Sequence, residues 1–173
     1  MNGRIAVYPG SFDPIHYGHM DIAQRASVLF DQVVVAVYNH PNKPLLFSAE
    51  ERVAMTKAVM ADFDNVKVIT YSGLTVDLVA SLGGKVIVRG LRVISDFEME
   101  YQMALTNRQL SPDLDTICLM TAQEYAFISA SLVKEVFMAG GNVSLMDHPL
   151  VKEAMVQKLK HLKSSNKIVP YNH

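Results

Sequence analysis

Short apolar runs alternate along the chain with segments of helical periodicity, and this alternation constrains the fold more than any other feature. The runs are nearly all apolar and rich in β-branched residues. The strand candidates are Ile5–Tyr8, Gln32–Val37, Val66–Thr70, Val86–Val88 and Thr116–Met120. Strands that are apolar on both faces are typical of a parallel sheet with helices packed on both sides.

Helix candidates lie between and after these runs. They span Gly18–Phe30, Ala49–Ala61, Thr75–Leu82, Asp96–Leu110, about Ser131–Ala139 and about Leu150–Leu162. Ser48 with Glu51, and Ser95 with Glu98, fit the S-x-x-E capping box that starts a helix. We therefore predict an α/β fold, a doubly wound five-stranded parallel sheet of Rossmann-like type with C-terminal helices. Residues 1–163 would form a single domain, and residues 164–173 a polar tail.

Composition excludes several classes of protein. Apolar residues make up 50% of the 173 residues and charged residues 19%, as in globular proteins and unlike disordered chains. The net charge of −1 argues against a general nucleic-acid or membrane binder. No apolar stretch approaches the ~20 residues of a membrane span, and the chain starts directly on a strand candidate, so we expect a cytoplasmic protein. Cys118, the only cysteine, lies in an apolar run and is expected to be buried.

The segment Y-P-G-S-F-D-P-I-H-Y-G-H joins the first strand candidate to the first helix candidate. Gly10 and Gly18 allow the backbone to approach a ligand closely. His16 and His19 are three residues apart and share one face of a helix. A helix N-terminus with free N–H groups, two imidazoles and the hydroxyl of Ser11 suits a phosphate group.

A metal site is the alternative interpretation of the two histidines. Asp13 and Asp21 are the nearest carboxylates, and each is more simply a cap or turn residue. Because no cysteine or acidic cluster completes a ligand set, we predict no metal ligands in the chain itself.

Basic residues follow two further strand candidates. Lys43 lies in a loop after the second strand, and Arg89 and Arg92 leave the fourth. Carboxyl ends of parallel strands meet at one edge of the sheet, where such folds bind ligands. Lysine and arginine there suit phosphate oxygens. The alternatives are a solvated surface lysine and arginines that pair with Asp96, Glu98 or Glu100.

A fourth polar segment, Tyr125–Ser131, precedes a helix candidate. Ser129 and Ser131 offer hydroxyls to a triphosphate at this helix start, or they simply cap the helix. The chain contains no P-loop, no G-x-G-x-x-G and no G-x-S-x-G motif.

These segments together resemble one family. The string G-S-F-D-P-I-H-Y-G-H is similar to the T/H-x-G-H signature of the nucleotidyltransferases, and R-G-L-R-V-I-S-D-F-E and I-S-A-S-L-V-K-E resemble motifs of bacterial phosphopantetheine adenylyltransferases. The resemblance runs from about Ile5 to Leu159. It implies that an adenylyl group moves from ATP to 4′-phosphopantetheine by direct in-line displacement, giving dephospho-coenzyme A and pyrophosphate. It also implies Mg²⁺ with the ATP, a homohexamer and feedback by coenzyme A.

The resemblance assigns roles to individual residues. His19 matches the position that stabilises the transition state, and Ser11, Lys43 and Arg92 are assigned to catalysis with it. The positions that match ATP-binding residues are Gly10, Ser11, Phe12, His16, His19, Gly90, Leu91, Arg92, Glu100, Tyr125, Ala126, Phe127, Ile128, Ser129, Ala130 and Ser131. The positions that match acceptor-binding residues are Ser11, Lys43, Leu74, Thr75, Arg89 and Asn107.

The chain departs from the family pattern at a few of these positions. Ala130 stands where the family often has a serine, and Tyr125 where it often has tryptophan. Two other functions stay open. One is nucleotidyl transfer to glycerol 3-phosphate or nicotinate mononucleotide, and the other is a non-catalytic nucleotide sensor.

Overall fold

The computed structural model describes residues 4–164, which fold around one parallel sheet. Its strands are β1 (Ile5–Gly10), β2 (Gln32–Tyr38), β3 (Val66–Tyr71), β4 (Val86–Leu91) and β5 (Asp115–Met120). Their order is β3-β2-β1-β4-β5, and every neighbouring pair is parallel. The predicted doubly wound sheet is confirmed. From β1 the strand order runs outwards through β2 to β3 on one side of the sheet, whereas β4 and β5 lie on the other side. A crevice therefore opens between the carboxyl ends of β1 and β4.

Helices follow the strands as the periodicity predicts. They are α1 (Tyr17–Leu29), α2 (Ala49–Val59), α3 (Thr75–Ser81), α4 (Ile94–Leu110), α5 (Ala130–Met138) and α6 (Pro149–Ser164), with one turn of 3₁₀-helix at Gln123–Tyr125. Apart from Ser164, which ends α6, the predicted polar tail lies outside the described residues. Among residues 4–164, no helix combines the length and the apolar character that crossing a membrane requires.

One of the two predicted capping boxes is confirmed. Ser48 accepts a hydrogen bond from the backbone N–H of Glu51, whose carboxylate accepts one from the N–H of Ser48. The Ser95–Glu98 box is wrong, because α4 starts at Ile94 and Ser95 lies inside its first turn. Asp96 holds this end of the helix instead, by accepting a hydrogen bond from the backbone N–H of Arg92.

Two apolar cores cover the two faces of the sheet. The larger core includes Val33, Val35 and Val37 of β2 and is closed by residues of α1, α2, α5 and α6. The smaller core includes Val34 and Ala36 of the same strand and is closed by α3. Alternate residues of β2 therefore serve opposite cores, which explains why this strand is apolar throughout.

Both edge strands depart from the expectation of full burial, because neither β3 nor β5 contains a buried residue. β5 lies at the edge of the sheet, and Ile117 and Met120 are exposed. Cys118 is also exposed, so the prediction that it is buried is wrong. An apolar strand at a sheet edge lacks the second neighbour and the complete helix cover that bury a central strand.

Candidate active site

Two adjoining cavities open at the carboxyl ends of β1, β2 and β4. The cavity on the α1 and α5 side has a volume of about 390 Å³, and the cavity on the α3 and α4 side about 300 Å³. We call them the α5-side cavity and the α4-side cavity. Both are lined by one shared set of residues, Pro9, Gly10, Ser11, Lys43, Arg89 and Glu100. The segment after β1, the loop of Lys43 and the end of β4 with Arg89 therefore converge on this edge of the sheet, as predicted.

The loop between β1 and α1 has an unusual backbone. Phe12 is 1% exposed and adopts a positive φ of 47°, a conformation that costs free energy in a residue other than glycine. Its ring packs edge-on against Tyr8 and His19, with centroid distances of 5.4 and 5.0 Å. A Cβ at Gly10 would stand 2.9 Å from the Phe12 ring, so only glycine fits there. The buried phenylalanine thus sets both the backbone path and the position of His19.

The two histidines form one unit at the start of α1. Their rings stack with centroids 3.7 Å apart, and the backbone N–H of His16 donates to Nδ1 of His19 at 3.3 Å. An Nδ1 that accepts a hydrogen bond leaves the proton of a neutral imidazole on Nε2. His19 therefore presents an N–H donor, and its ring lines the α5-side cavity.

Both imidazoles are held in the neutral form. Burial, reinforced by the charge of Arg92, lowers the pKa of His16 to about 3. Burial also holds the pKa of His19 well below its usual value, and positive charges around it act in the same direction. Nδ1 of His16 is buried and has no hydrogen-bond partner within residues 4–164.

Arg89 crosses the boundary between the two cavities. Nε and Nη2 donate to the two oxygens of Glu100 at 2.7 and 2.6 Å, and Nη1 donates to the carbonyl of Pro9 at 2.7 Å. Burial opposes its charge, but the hydrogen bonds and charge of Glu100 outweigh burial and raise the pKa of Arg89. The ion-pair alternative is confirmed for Arg89. Its remaining N–H groups stay available to a ligand.

Arg92 lines only the α5-side cavity. It pairs with Asp96 at 3.1 Å and donates from Nη1 to the carbonyl of Ile128 at 2.9 Å. The alternative interpretation, an ion pair, is confirmed here as well. Through Ile128 the guanidinium connects the end of β4 to the segment that leads into α5.

The N-terminus of α5 forms the far wall of the α5-side cavity. Ser129 is the N-cap of the helix, and its hydroxyl accepts from the N–H of Leu132 at 3.1 Å. The capping alternative is thus confirmed for Ser129. Ala130 and Ser131 also line the cavity. Free backbone N–H groups at such a helix start favour an anion.

The α4-side cavity receives most of the predicted acceptor residues. Ser11, Lys43, Thr75, Arg89 and Asn107 line it, whereas Leu74 does not and is 53% exposed. Burial and the charge of Lys134 lower the pKa of Lys43. The wall of the cavity also contains the side chains of Tyr38, Tyr71, Ile87, Met103 and Ala104.

Most of the predicted ATP residues line the α5-side cavity, and five do not. The lining residues are Gly10, Ser11, Phe12, His16, His19, Gly90, Arg92, Glu100, Ser129, Ala130 and Ser131. The five outside it are Leu91, Tyr125, Ala126, Phe127 and Ile128. Leu91 and Ile128 are buried in the protein, and Tyr125 packs on Tyr17 with ring centroids 5.9 Å apart.

Three charged residues that organise the site are absent from the sequence prediction. Asp13, interpreted above as a cap or turn residue, is 1% exposed and accepts hydrogen bonds from the backbone N–H groups of Leu46 and Phe47, which lie in the loop after β2. Lys134 donates to the same carboxylate at 2.7 Å. Arg52 is fully buried and donates to the carbonyl of Ser11 at 2.6 Å. Asp13 and Lys134 lie within the motifs quoted above, whereas a buried arginine in the apolar pattern of α2 is a weak signal.

The donor set at the site does not resemble a metal centre. Within residues 4–164, no group of three or more His, Cys, Asp or Glu side chains is placed to hold a metal ion. The carboxylates of Asp96 and Glu100 in the α5-side cavity are both engaged by arginines.

Comparisons with known proteins agree with this geometry. The cytidylyltransferase-like family model matches residues 7–136. A phosphopantetheine adenylyltransferase of Roseiflexus sp. (strain RS-1) is 53% identical over 86% of this chain and 93% of its own length. One from Thiobacillus denitrificans is 50% identical over 90% of this chain and 97% of its own length.

The fold also has a more distant structural neighbour. A Plasmodium falciparum nicotinic acid mononucleotide adenylyltransferase complexed with NaAD superposes with a TM-score of 0.66 at 17% identity, covering 89% of this chain and 95% of that one. At least half of the aligned residues are identical to those of each of the two bacterial relatives, and the site has the expected convergence of motifs. The chain therefore belongs to the phosphopantetheine adenylyltransferase family of cytidylyltransferase-like proteins.

Proposed function

We propose that the protein transfers the adenylyl group of ATP to 4′-phosphopantetheine, giving dephospho-coenzyme A and pyrophosphate. The observation that carries this proposal is the pair of cavities with a shared boundary at Ser11, Lys43 and Arg89. A reaction between two phosphate-bearing substrates requires two sites that meet at the reacting phosphates. The names of the curated relatives identify the class of acceptor.

ATP is assigned to the α5-side cavity. Residues at the start of α1, at the start of α5 and Arg92 line this cavity, and helix N-termini and guanidinium groups favour the phosphates of a nucleotide. The acceptor is assigned to the α4-side cavity. Its walls of Tyr38, Ile87, Met103 and Ala104 suit the pantetheine arm, and Lys43 and Arg89 suit the phosphate.

The proposed chemistry is in-line displacement at the α-phosphorus. An oxygen of the acceptor phosphate forms a bond to this phosphorus while the bond to the oxygen that bridges the α- and β-phosphates breaks, and pyrophosphate leaves with that electron pair. A phosphate dianion is already a nucleophile, so no general base is needed. The protein contributes positioning and charge stabilisation.

Individual residues have separate tasks in this scheme. His19 donates from Nε2, and Ser11 from its hydroxyl, to the α-phosphate as its charge redistributes. Lys43 orients the acceptor phosphate and offsets the repulsion between the two anions. Arg89 contacts the acceptor side, while Arg92 and Ser129 contact the nucleotide.

Magnesium enters this scheme with ATP. Because the described residues offer no three-ligand cluster, the phosphate oxygens of the nucleotide and water molecules would supply most of the coordination, since Mg²⁺ usually keeps several waters. The ion would then supply charge neutralisation on the triphosphate.

Assembly, feedback and location form a second part of the proposal. The exposed apolar side chains Ile94, Phe97, Ile117 and Met120 on α4 and β5 suit a subunit interface, and we propose a homohexamer in the cytoplasm. Coenzyme A carries both the pantetheine arm and the adenine nucleotide, so it would occupy parts of both cavities and compete with the substrates.

An acceptor panel tests the proposal. Pyrophosphate release from ATP is measured with 4′-phosphopantetheine, nicotinate mononucleotide and glycerol 3-phosphate in parallel. We expect release only with the first acceptor. Release with one of the others instead would assign the chain to a different transfer reaction, and ATP binding without release in any arm would support a nucleotide sensor.

A further inference from the structure

The carboxylate of Asp13 joins three segments of the site. It is 1% exposed and accepts hydrogen bonds from the backbone N–H groups of Leu46 and Phe47, the latter at 2.9 Å. Nζ of Lys134 donates to the same carboxylate at 2.7 Å. A buried carboxylate with this many partners is well compensated, and it holds its donors in a fixed arrangement.

Each of the three segments carries a residue of the proposed reaction. Asp13 lies between Ser11 and His19 in the loop before α1. Leu46 and Phe47 end the loop that carries Lys43, and Lys134 lies in α5, whose first turn lines the α5-side cavity.

A second buried charge fixes the other end of the Lys43 loop. Arg52 donates to the carbonyls of Tyr38 and Asn39, where the loop leaves β2, and to the carbonyl of Ser11. The loop is thus held at both ends against the same β1–α1 segment. Lys43 lies between these two anchored ends, so its position depends on how the loop is held.

The charges around Lys43 belong to this same network. Burial has the largest effect on Lys43 and lowers its pKa. The positive charges of Lys134 and Arg52 lower the pKa further, and the negative charge of Asp13 raises it. Arg89, Glu100 and His19 face it from the shared boundary and the α5-side cavity. The pKa of Lys43 therefore depends on whether the Asp13–Lys134 pair is intact.

We propose that Asp13 and Lys134 are positioning residues whose ion pair, buried on the Asp13 side, sets the place of Lys43 relative to His19 at the boundary of the two cavities. This inference rests on the proposed function for its kinetic consequence. The structural part, a Lys43 loop governed by this ion pair, stands independently of the reaction.

The first test is the titration of the Lys43 amine, followed by NMR on protein with labelled lysine side chains and assigned with Lys43→Arg. Lys134→Met removes a positive neighbour and is expected to raise the pKa of Lys43. Asp13→Asn removes a negative neighbour and is expected to lower it. Lys57→Met, an exposed lysine on α2, is the matched control and should leave the titration unchanged. Shifts that are absent in Lys134→Met, or that have the same sign in both variants, would overturn the inference.

The second test is kinetic. Folded Lys134→Met is expected to lose roughly 100-fold in kcat/KM for 4′-phosphopantetheine, because an ångström-scale displacement of a catalytic group costs that much. The double variant Asp13→Asn with Lys134→Met should be no worse than Asp13→Asn alone, since the two residues act as one unit. Wild-type kinetics in Lys134→Met, or multiplicative losses in the double variant, would overturn the positioning role. If the wild-type protein released no pyrophosphate, the proposed function would fail, and the lysine titration would still test the structural part of the inference.

Discussion

The backbone N–H of His16 donates to Nδ1 of His19 at 3.3 Å, and this hydrogen bond decides which ring nitrogen of His19 carries the proton. Because burial keeps the ring neutral, that nitrogen is Nε2 and it acts as a donor. A neutral donor stabilises developing charge without acting as a base. The arrangement thus fits a reaction whose nucleophile is already ionised.

Loss of the His19 side chain is expected to slow the reaction without unfolding the protein. Removal of one preorganised donor typically costs ~10²–10³ in turnover, so His19→Ala should lose kcat by about that factor in steady-state assays. His40→Ala, at an exposed histidine outside both cavities, is the matched control and should keep wild-type turnover. A kcat for His19→Ala within a few fold of wild type would remove His19 from the mechanism.

The protonation state of the histidine pair can be observed directly. At pH 6 an exposed histidine is largely protonated, whereas His16, with a pKa of about 3, and His19, with a pKa well below normal, should both be neutral. Long-range ¹H–¹⁵N spectra should show His19 as the Nε2–H tautomer. An imidazolium signal from His19 at this pH, or the Nδ1–H tautomer, would contradict the account.

Lys43 is expected to act mainly on the acceptor. Lys43→Ala should raise the KM for 4′-phosphopantetheine and slow turnover, because an ammonium group no longer neutralises the acceptor phosphate. Lys85→Ala serves as the control, since this exposed lysine precedes β4 at the opposite edge of the sheet. Unchanged kinetics in Lys43→Ala would make Lys43 the solvated surface residue of the alternative interpretation.

Asp147 gives the protein a pH-dependent stability. It is 1% exposed, Oδ2 has no hydrogen-bond partner within residues 4–164, and burial raises its pKa to about 8. Between its ordinary pKa of 3.8 and about 8, the folded state binds more protons than the unfolded state. The free energy of unfolding therefore falls as the pH rises through this window, by up to about 1.4 kcal/mol per pH unit from this group.

Asp147→Asn removes that dependence and keeps an acceptor for the N–H of His148. Urea unfolding should show the variant gaining stability relative to wild type from pH 5 to pH 7.5. Parallel curves of stability against pH would contradict the raised pKa.

Local sequence patterns predict the helices and strands well, because the formation of these elements depends mainly on residues that are close in the sequence. β2 is predicted at Gln32–Val37 and lies at Gln32–Tyr38, because the interior residues of a doubly covered strand form an apolar run that is easily recognised. The placement of Lys43 and Arg89 at one edge follows equally from parallel connections. Both predictions need only the order of elements along the chain.

Features that depend on distant partners are the ones that sequence patterns miss. Asp13 meets Lys134 across 121 residues, and no periodicity indicates that contact. The exposure of Cys118 follows from the edge position of β5, which local composition does not reveal. Asp96 fixes the start of α4 through Arg92, so the Ser95–Glu98 pattern is not used as a cap.

The central claim is that the α-phosphate of ATP moves to the acceptor phosphate at the boundary of the two cavities. ATP radiolabelled at the α-phosphate, incubated with 4′-phosphopantetheine and Mg²⁺, tests this directly. We predict that the label appears in dephospho-coenzyme A, with an equal amount of unlabelled pyrophosphate. Label that stays in ATP, or that appears in AMP without an adenylylated acceptor, would contradict the account.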